Sequence, residues 1–124
     1  MKILIALHQA SQFGEAAFAL KLPKDADVTV RQAALLAAIK ANPGVSQTVL
    51  MRASKIDRST LADMVRRLTK KGWAKRRRNK DDTRAYIVDI TPEGETALKQ
   101  AVAAAKGAEA ELLAEMPNVR GVSA

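Results

Sequence analysis

Cysteine is absent from this chain of 124 residues, and histidine and aromatic residues are scarce. Without cysteine there can be no disulfide bond, no thiolate metal site and no cysteine redox switch. The single histidine, His8, has no other ligand-type side chain at metal-binding spacing, so we expect no metal site. The apolar content of 48% comes mainly from Ala, Val, Leu and Ile, which favours a mainly helical protein.

Long hydrophobic runs and catalytic motifs are also missing. The opening segment has five consecutive apolar residues, 3–7, before polar residues interrupt it. That run is too short for a signal peptide or for a membrane span, which needs about 20 residues. No nucleophile, base and orienting group stand together, and there is no glycine-rich phosphate loop. We therefore expect a cytoplasmic protein that is not an enzyme and binds no cofactor.

Positive charge, in contrast, is abundant and concentrated in one part of the chain. Thirteen Lys and Arg but only four Asp lie between Arg52 and Arg84, while the whole chain carries a net charge of +8. The rest of the chain is therefore close to neutral. Because each phosphate that a Lys or Arg neutralises releases condensed counterions, such a local patch is typical of a nucleic-acid-binding surface.

The spacing of apolar and turn residues predicts five helices and one β-hairpin in a single domain, 1–124. Ser46 and Asp57 are predicted to begin the third and fourth helices as N-caps, and Gly72 to end the fourth. The tight connection 54–56 makes these two helices a helix-turn-helix candidate. The predicted helices cover 2–22, 29–41, 47–54, 57–71 and 92–116, and the predicted strands cover 73–78 and 84–90.

The fourth predicted helix has an apolar stripe on one face and polar, mostly basic residues on the other. The stripe repeats at helical spacing from Leu61 to Leu68 and is predicted to face the core. Small residues near the start of the opposite face would allow close approach to a major groove, and arginine can bind a guanine edge with two hydrogen bonds. Asp63 fits DNA only if it accepts a hydrogen bond from cytosine or orients a neighbouring arginine. The residues that we expect to contact DNA are Arg58, Ser59, Thr60, Ala62, Asp63, Arg66, Arg67 and Lys70. An ordinary solvated helix face is the alternative.

The predicted hairpin contains five cations in the six residues 75–80. Neighbouring side chains of a strand point to opposite faces, so one set of cations could line a phosphate backbone. The alternative is a solvated edge strand that charge protects from unwanted pairing. Asp81 and Asp82 are expected to cap the turn and to hold Arg84 in a defined orientation. The hairpin residues that we expect to contact DNA are Arg76, Arg77, Arg78, Lys80 and Arg84.

The first and last predicted helices carry apolar seams. Gly107 lies in the middle of the last helix, which has few large apolar residues, so this helix must pack against another one. The partner is the first helix, either of the same chain or of a second copy. We expect the flanking helices, 1–24 and 92–116, to form a homodimer. The predicted dimer residues are Leu4, Leu7, Phe18, Leu98, Val102, Ala105, Leu112 and Met116.

The order of these motifs resembles the MarR family of winged-helix transcription regulators. The resemblance is carried by residues 56–61 at the start of the fourth helix, 70–73 at its end, 82–84 in the hairpin and 90–94 after it. It is close over residues 29–96, the expected DNA-binding core, and looser outside them. Each motif is weak by itself, but their order and spacing together are specific.

The resemblance implies a sequence-specific regulator that binds double-stranded DNA, most often a repressor that acts as a homodimer. The fourth helices of the two protomers would enter successive major grooves. The hairpins, called the wings, would reach the flanking minor grooves. Many relatives release DNA when a small aromatic acid or an oxidant acts near the dimer interface. Because cysteine is absent, cysteine oxidation is excluded and a small-molecule effector is the remaining expectation. By the same likeness, four residues of the fourth helix would face the bases: Ser59, Ala62, Asp63 and Arg66. Arg84 would enter a minor groove, and Asp82 would orient it.

The chain departs from the family pattern in three places. Lys55 occupies a turn position where relatives often have glycine, which implies a slightly strained turn. Asp63 and Arg66 replace residue types that are common in relatives, so the resemblance leaves the operator sequence open. The chain ends about one helix earlier than typical relatives, which implies a smaller, rearranged or weaker dimer.

Two other functions are compatible with these residues. A winged-helix module that binds a protein, with its charge serving solubility or a weak nucleic-acid contact, would show little preference for one DNA site. RNA binding through the hairpin would lack the aromatic stacking platform that is usual for single strands. The sequence therefore favours a DNA-binding regulator over both.

Overall fold

The structure of the protein is a computed structural model that describes residues 1–81 and 86–115. Within these residues the chain forms five α-helices and one two-stranded antiparallel sheet. The elements are α1 (Lys2–Lys21), α2 (Val30–Ala41), α3 (Gln47–Ser54), α4 (Arg58–Lys70), β1 (Ala74–Arg78), β2 (Tyr86–Ile90) and α5 (Pro92–Glu115). The predicted fold class, mainly α with a hairpin wing, is confirmed. None of the described helices is long and apolar enough to span a membrane.

The chain divides into two compact units. The helical unit comprises Met1–Val30 and Gln100–Ala124, of which 116–124 lie outside the described residues. It contains α1 and the second part of α5. The winged unit comprises Arg31–Lys99 and contains α3, α4, the hairpin and most of α2. The prediction that 29–96 forms the DNA-binding core of a single domain stays a prediction.

The core of the winged unit is aliphatic, as the shortage of aromatic residues requires. Leu36, Leu50, Val65, Leu68 and Val88 are all fully buried. They come from α2, α3, α4 and β2, and they belong to one continuous cluster of buried side chains. Burying each such side chain stabilises the fold by about 1.5–3 kcal/mol relative to exposure, so this cluster fixes the orientation of α4.

Both ends of α4 are closed by local hydrogen bonds that the sequence predicts. Asp57 is the N-cap, and its side chain accepts from the backbone N–H of Thr60 at 3.2 Å. At the other end, the N–H of Gly72 donates to Thr69 O and the N–H of Trp73 donates to Leu68 O. These two bonds form a Schellman motif, in which Gly72 takes the left-handed conformation at φ 79°. The helix therefore ends where the sequence predicts.

The turn between α3 and α4 is strained in the way that the sequence implies. Lys55 ends α3 with φ 57° and ψ 27°, in the left-handed region. It is the one residue other than glycine with positive φ in the described ranges 1–81 and 86–115. A residue with a Cβ adopts this backbone conformation only at a cost in free energy, because the Cβ comes close to the following carbonyl oxygen.

The hairpin is anchored to α3 along one face. In its register Ala74 faces Ile90, Arg76 faces Val88 and Arg78 faces Tyr86. Ile87 also forms an isolated bridge with Ser46, the N-cap of α3. As a result β2 is buried at two successive positions, 87 and 88, and not only at alternate ones.

The segment Thr91–Gly94 ties the start of α5 to the end of α4. The Thr91 hydroxyl donates to Gly72 O at 2.6 Å and accepts from the N–H of Gly94 at 3.0 Å. Gly94 is buried, and a methyl group there would overlap the Trp73 carbonyl and lie 2.9 Å from Ile90 Cγ1. The spacing of the Gly-Trp and Thr-Pro-Glu-Gly motifs is thus a packing requirement.

In the helical unit, small residues allow α1 and the second part of α5 to approach closely. Phe18 is 4% exposed, and the α5 residues Ala101, Ala104 and Ala108 are buried. Lys21 Nζ lies 2.6 Å from Glu111 Oε1 and supplies an ion pair between the two helices. This arrangement leaves a cavity of about 270 Å³, lined by residues such as Ser11, Glu15, Phe18, Glu109 and Leu112.

Candidate nucleic-acid interface

The face of α4 opposite its buried stripe is open to solvent. Leu61, Val65 and Leu68 are at most 1% exposed and point into the core, so helical geometry places the residues between them outside. Among the residues predicted to contact DNA, the exposed ones are Arg58, Ser59, Arg66, Arg67 and Lys70, and the partly buried ones are Thr60, Ala62 and Asp63. The structure therefore brings the predicted residues of α4 together on one surface.

Asp57 organises the beginning of this surface. Its Oδ2 accepts hydrogen bonds from the Ser59 hydroxyl at 2.9 Å and from the N–H of Thr60 at 3.2 Å. Hydrogen bonds from Thr60 and then from Ser59 stabilise the charged carboxylate and lower the pKa of Asp57 from its ordinary 3.8 to about 2. Ser59 is consequently oriented by the helix cap, with its hydroxyl hydrogen directed to Asp57.

The middle of the surface is an ion-pair cluster. The carboxylate of Asp63 accepts from Arg66 Nη2 on one oxygen and from Arg67 Nε at 3.0 Å on the other. Residues three and four positions apart lie next to each other on a helix, which is why one Asp reaches both arginines. Both guanidinium groups remain mostly exposed, so they can still contact a ligand.

The cations of β1 lie on both faces of the hairpin, as the alternation of a strand predicts. On one face the guanidinium carbons of Arg76 and Arg78 lie 5.4 Å and 5.8 Å from the centre of the Tyr86 ring. On the other face Arg77 Nε donates to Asp89 Oδ2 at 2.7 Å. Each of these arginine side chains is exposed. The hairpin thus presents an ordered row of cations to solvent.

The turn of the hairpin is only partly described. Lys80, predicted to contact DNA, is exposed there. The N–H of Asp81 donates to Asn79 Oδ1 at 2.9 Å, so Asn79 supplies a side-chain acceptor to the turn. The prediction that Asp82 orients Arg84, and that Arg84 enters a minor groove, concerns residues outside the described ranges.

Comparison with known proteins identifies this combination of helix-turn-helix and basic hairpin. The model of the MarR family matches residues 26–85. The transcriptional regulator HosA of Escherichia coli O127:H6 is 31% identical over 111 residues, which cover 90% of this chain and 82% of HosA. The chain belongs to the MarR family of winged-helix transcription regulators.

Solved structures similar to this MarR-family chain share its fold. A probable transcriptional regulator from Pseudomonas aeruginosa is 30% identical, with a TM-score of 0.80 over 97% of this chain and 92% of that one. A mutant of MarR from E. coli in complex with operator DNA is 22% identical, with a TM-score of 0.77 over 91% and 78% of the two chains. Because the identity to MarR is only 22%, this second likeness shows the fold alone.

Two residues that order the wing of this MarR-family protein are not among the predicted site residues. The ring of Tyr86 makes cation–π contacts with the guanidinium groups of Arg76 and Arg78. Asp89 forms an ion pair with Arg77. Both lie on β2, so their partners on β1 depend on the register of the hairpin. The signal in the sequence is the single tyrosine and the single carboxylate in an otherwise apolar strand.

The predicted dimer residues of this MarR-family chain fall into different environments. Leu4, Leu7 and Val102 are 64%, 60% and 61% exposed. Phe18 is buried within the helical unit, and Leu98 is buried in the core of the winged unit. Ala105 and Leu112 are partly buried, and Met116 lies outside the described residues. The exposed members are therefore the ones with apolar surface left to bury.

Metal-binding clusters are absent from the part of the chain that the structure describes. No group of three or more His, Cys, Asp or Glu side chains in residues 1–81 and 86–115 is arranged to hold a metal ion.

Proposed function

We propose that this MarR-family protein binds a specific site on double-stranded DNA as a homodimer and regulates transcription as a repressor. The observation that carries the proposal is the exposed face of α4, where Arg66, Arg67 and Lys70 surround small and polar residues. The core packing of Leu61, Val65 and Leu68 holds this face outward. A rigid helix with such a face suits base recognition in a major groove.

The basic hairpin supplies the second part of the interface. Its cations belong to the same compact unit as α4, and most of its positive side chains are exposed. Phosphate contacts fix the position of a protein on a duplex, whereas contacts to base edges specify the sequence. We assign the first role mainly to the hairpin and the second mainly to α4. A regulator of this kind works where the DNA is, so we place it in the cytoplasm.

The homodimer is supported by apolar surface that the helical unit leaves uncovered. The face of α1 that includes the buried Phe18 continues through Leu7 to Ile3, which are 60% and 72% exposed. Apolar side chains that share one helix face and lack cover gain free energy when a second apolar surface covers them. A second copy of the chain would supply that surface and would also duplicate α4.

The test is selection of bound sites from a random duplex library, followed by measurement of Arg66→Ala on the selected site. We expect a two-fold symmetric site, and we expect the variant to lose about 1–3 kcal/mol of binding free energy with relaxed discrimination at one position per half-site. Lys99→Ala, which removes an exposed cation from α5 in the same unit, is the matched control and should have little effect.

Two results would contradict this proposal in different ways. If no duplex is enriched and affinity differs little between sequences, the winged unit is an interaction module for another macromolecule. If the selected site exists but Arg66→Ala weakens the selected and random duplexes equally, Arg66 contacts phosphate and α4 reads bases through other side chains.

The cavity of the helical unit is the proposed place for an effector. Its volume of about 270 Å³ is close to the smaller ligand sites of proteins, about 300 Å³, and its lining is mostly apolar. Glu15 and Glu109 stand at this lining, and neither has an ion pair among the described residues. Two such carboxylates disfavour an aromatic acid and favour a neutral or cationic ring.

Thermal unfolding with matched small probes tests the effector proposal. Benzylamine, a cation at neutral pH, should raise the unfolding temperature in proportion to its binding, and benzoate should not. Glu15→Gln should reduce the effect of benzylamine. A larger effect of benzoate than of benzylamine would contradict the charge argument, while leaving the DNA-binding proposal untouched.

A further inference from the structure

Asp63 lies in the middle of the exposed face of α4, where it joins two arginines. One carboxylate oxygen accepts from Arg66 Nη2, and the other accepts from Arg67 Nε at 3.0 Å. The side chains of Arg66 and Arg67 are 72% and 70% exposed, and that of Asp63 is 39% exposed. One carboxylate therefore holds two guanidinium groups at the helix surface without burying them.

The cluster contributes little to folding. Exposed ion pairs on a helix stabilise a protein by a fraction of a kcal/mol, because solvent screens the charges and the side chains lose conformational freedom. At the same time, the carboxylate lowers the positive charge of a surface that would otherwise attract a polyanion more strongly. The consequences of Asp63 should therefore appear in binding and not in stability.

Phosphates and bases meet this cluster differently. A phosphate that approaches either arginine also approaches the carboxylate of Asp63, and two negative charges repel each other. A base edge is neutral, and guanine O6 and N7 together accept two hydrogen bonds from one arginine. The cytosine of the same pair presents the N4 amino group, which donates to a carboxylate. The arrangement is thus complementary to a G·C pair and unfavourable for a phosphate group.

We propose that Asp63 is a specificity-determining residue of α4, which directs Arg66 and Arg67 to a G·C pair in each half-site and opposes their use on phosphate groups. This inference rests on the proposed function, because it requires that α4 reads duplex DNA. In this role Asp63 acts through repulsion of the wrong contact as well as attraction of the right one.

The decisive experiment compares wild type, Asp63→Asn and Asp63→Glu on the selected site and on random duplex at several salt concentrations. Asp63→Asn should bind random duplex several-fold more tightly, with a salt slope that is steeper by about 1–2, because its arginines are free for phosphates. Its ratio of specific to random affinity should fall by roughly tenfold, as expected when one base is no longer read. Asp63→Glu, which keeps the carboxylate, should restore most of that ratio.

Asp89→Asn is the matched control, since Asp89 also pairs with an exposed arginine of the winged unit and its replacement changes the charge equally. It should raise affinity on both duplexes by similar factors and keep the ratio. An Asp63→Asn variant with an unchanged ratio, or a selected site without a G·C pair that depends on Asp63, would overturn this inference alone. A wild-type protein without any preferred site would overturn the inference together with the proposed function.

Discussion

Lys55 joins the two helices of the helix-turn-helix in a conformation that suits glycine. At a φ of 57°, the presence of a Cβ destabilises the folded protein by about 1–2 kcal/mol. Glycine avoids this cost, but its unfolded chain is more flexible, which destabilises the folded protein by about 0.5–1 kcal/mol. We therefore expect Lys55→Gly to raise the free energy of unfolding of the winged unit by about 0.5–1 kcal/mol. Urea unfolding followed by circular dichroism measures this change.

Lys55→Ala separates the backbone effect from the charge effect. It removes the same positive charge but keeps a Cβ in the left-handed region, so we expect no gain in stability. If both variants stabilise the protein equally, repulsion among the cations near Lys55 is the cause and the backbone argument is wrong.

Gly94 is the residue whose replacement the packing tolerates least. A methyl group there meets the Trp73 carbonyl and Ile90 Cγ1, neither of which can move without disturbing the core. We expect Gly94→Ala to destabilise the winged unit by about 1–3 kcal/mol, despite the higher helix propensity of alanine. The unfolding temperature and the urea midpoint should both fall.

Gly14→Ala is the control for this prediction, because it makes the same chemical change inside a helix with room for a methyl group. The nearest atom to an added Cβ is Leu112 Cδ2 at 3.8 Å, an ordinary contact. We expect a small gain of about 0.5–1 kcal/mol. Equal effects of the two substitutions would show that the close approach of α5 to the end of α4 is not a constraint.

At the scale of elements, the stability of the N-terminus of α4 depends on pH. Asp57 is charged in the folded protein down to a pKa of about 2, whereas its ordinary pKa is 3.8. Its contribution to stability is therefore fully present above about pH 4 and falls away as the pH approaches 2. We expect the urea midpoint of the wild type to fall more steeply over this window than that of Asp57→Asn.

The comparison with Asp57→Asn isolates the charge, since asparagine still caps a helix but does not titrate. The advantage of the wild type over this variant should be largest near pH 5 and should shrink toward pH 2. A constant difference across the window would mean that the carboxylate charge contributes nothing beyond the cap itself.

The hairpin is the element that we expect to bind DNA without regard to sequence. Replacing Arg76, Arg77 and Arg78 with Ala should weaken binding to every duplex, and the salt slope should shrink by about 1 for each phosphate group that the hairpin no longer neutralises. Replacing Lys2, Lys24 and Lys106 removes the same charge from the helical unit and is the control. An equal change of slope in both triple variants would show that the hairpin cations act only through net charge.

The elements themselves were predictable because their signals are local. Ser46 and Asp57 cap helices through their own side chains, and the two bonds from the N–H groups of Gly72 and Trp73 close α4 within a few residues. The contacts that order the site were less accessible. The pairing of Arg77 with Asp89 depends on the register of the hairpin, which the spacing of charges in the sequence leaves open.

On α4 the spacing in the sequence predicted which residues share the exposed face, but it left the function of Asp63 open between two roles. In the structure Asp63 pairs with Arg66 and Arg67, because side chains three and four positions apart on a helix lie next to each other. Ser59 is predicted to face the bases, whereas in the structure its hydroxyl group donates to Asp57 within the helix cap. Such choices among nearby partners depend on rotamers, and a residue pattern does not specify them.

For the whole molecule, specific binding needs two copies of α4 held about 34 Å apart, so that they enter successive major grooves. The apolar surface that remains for this purpose lies near the start of α1, where Leu7 is 60% exposed. Because a second protomer would cover it, an added charge at this position should be costly only in the dimer.

Leu7→Glu is therefore expected to reduce assembly and to weaken specific DNA binding strongly, with nearly unchanged helical content. Gln9→Glu adds the same charge to the opposite face of α1 and should leave assembly intact. Light scattering at tens of micromolar protein gives the mass of each variant, and titration of the selected site gives its affinity. A wild-type protein that stays monomeric at these concentrations and still binds a two-fold symmetric site tightly would contradict the dimer, because each copy of α4 would then have to find its half-site alone.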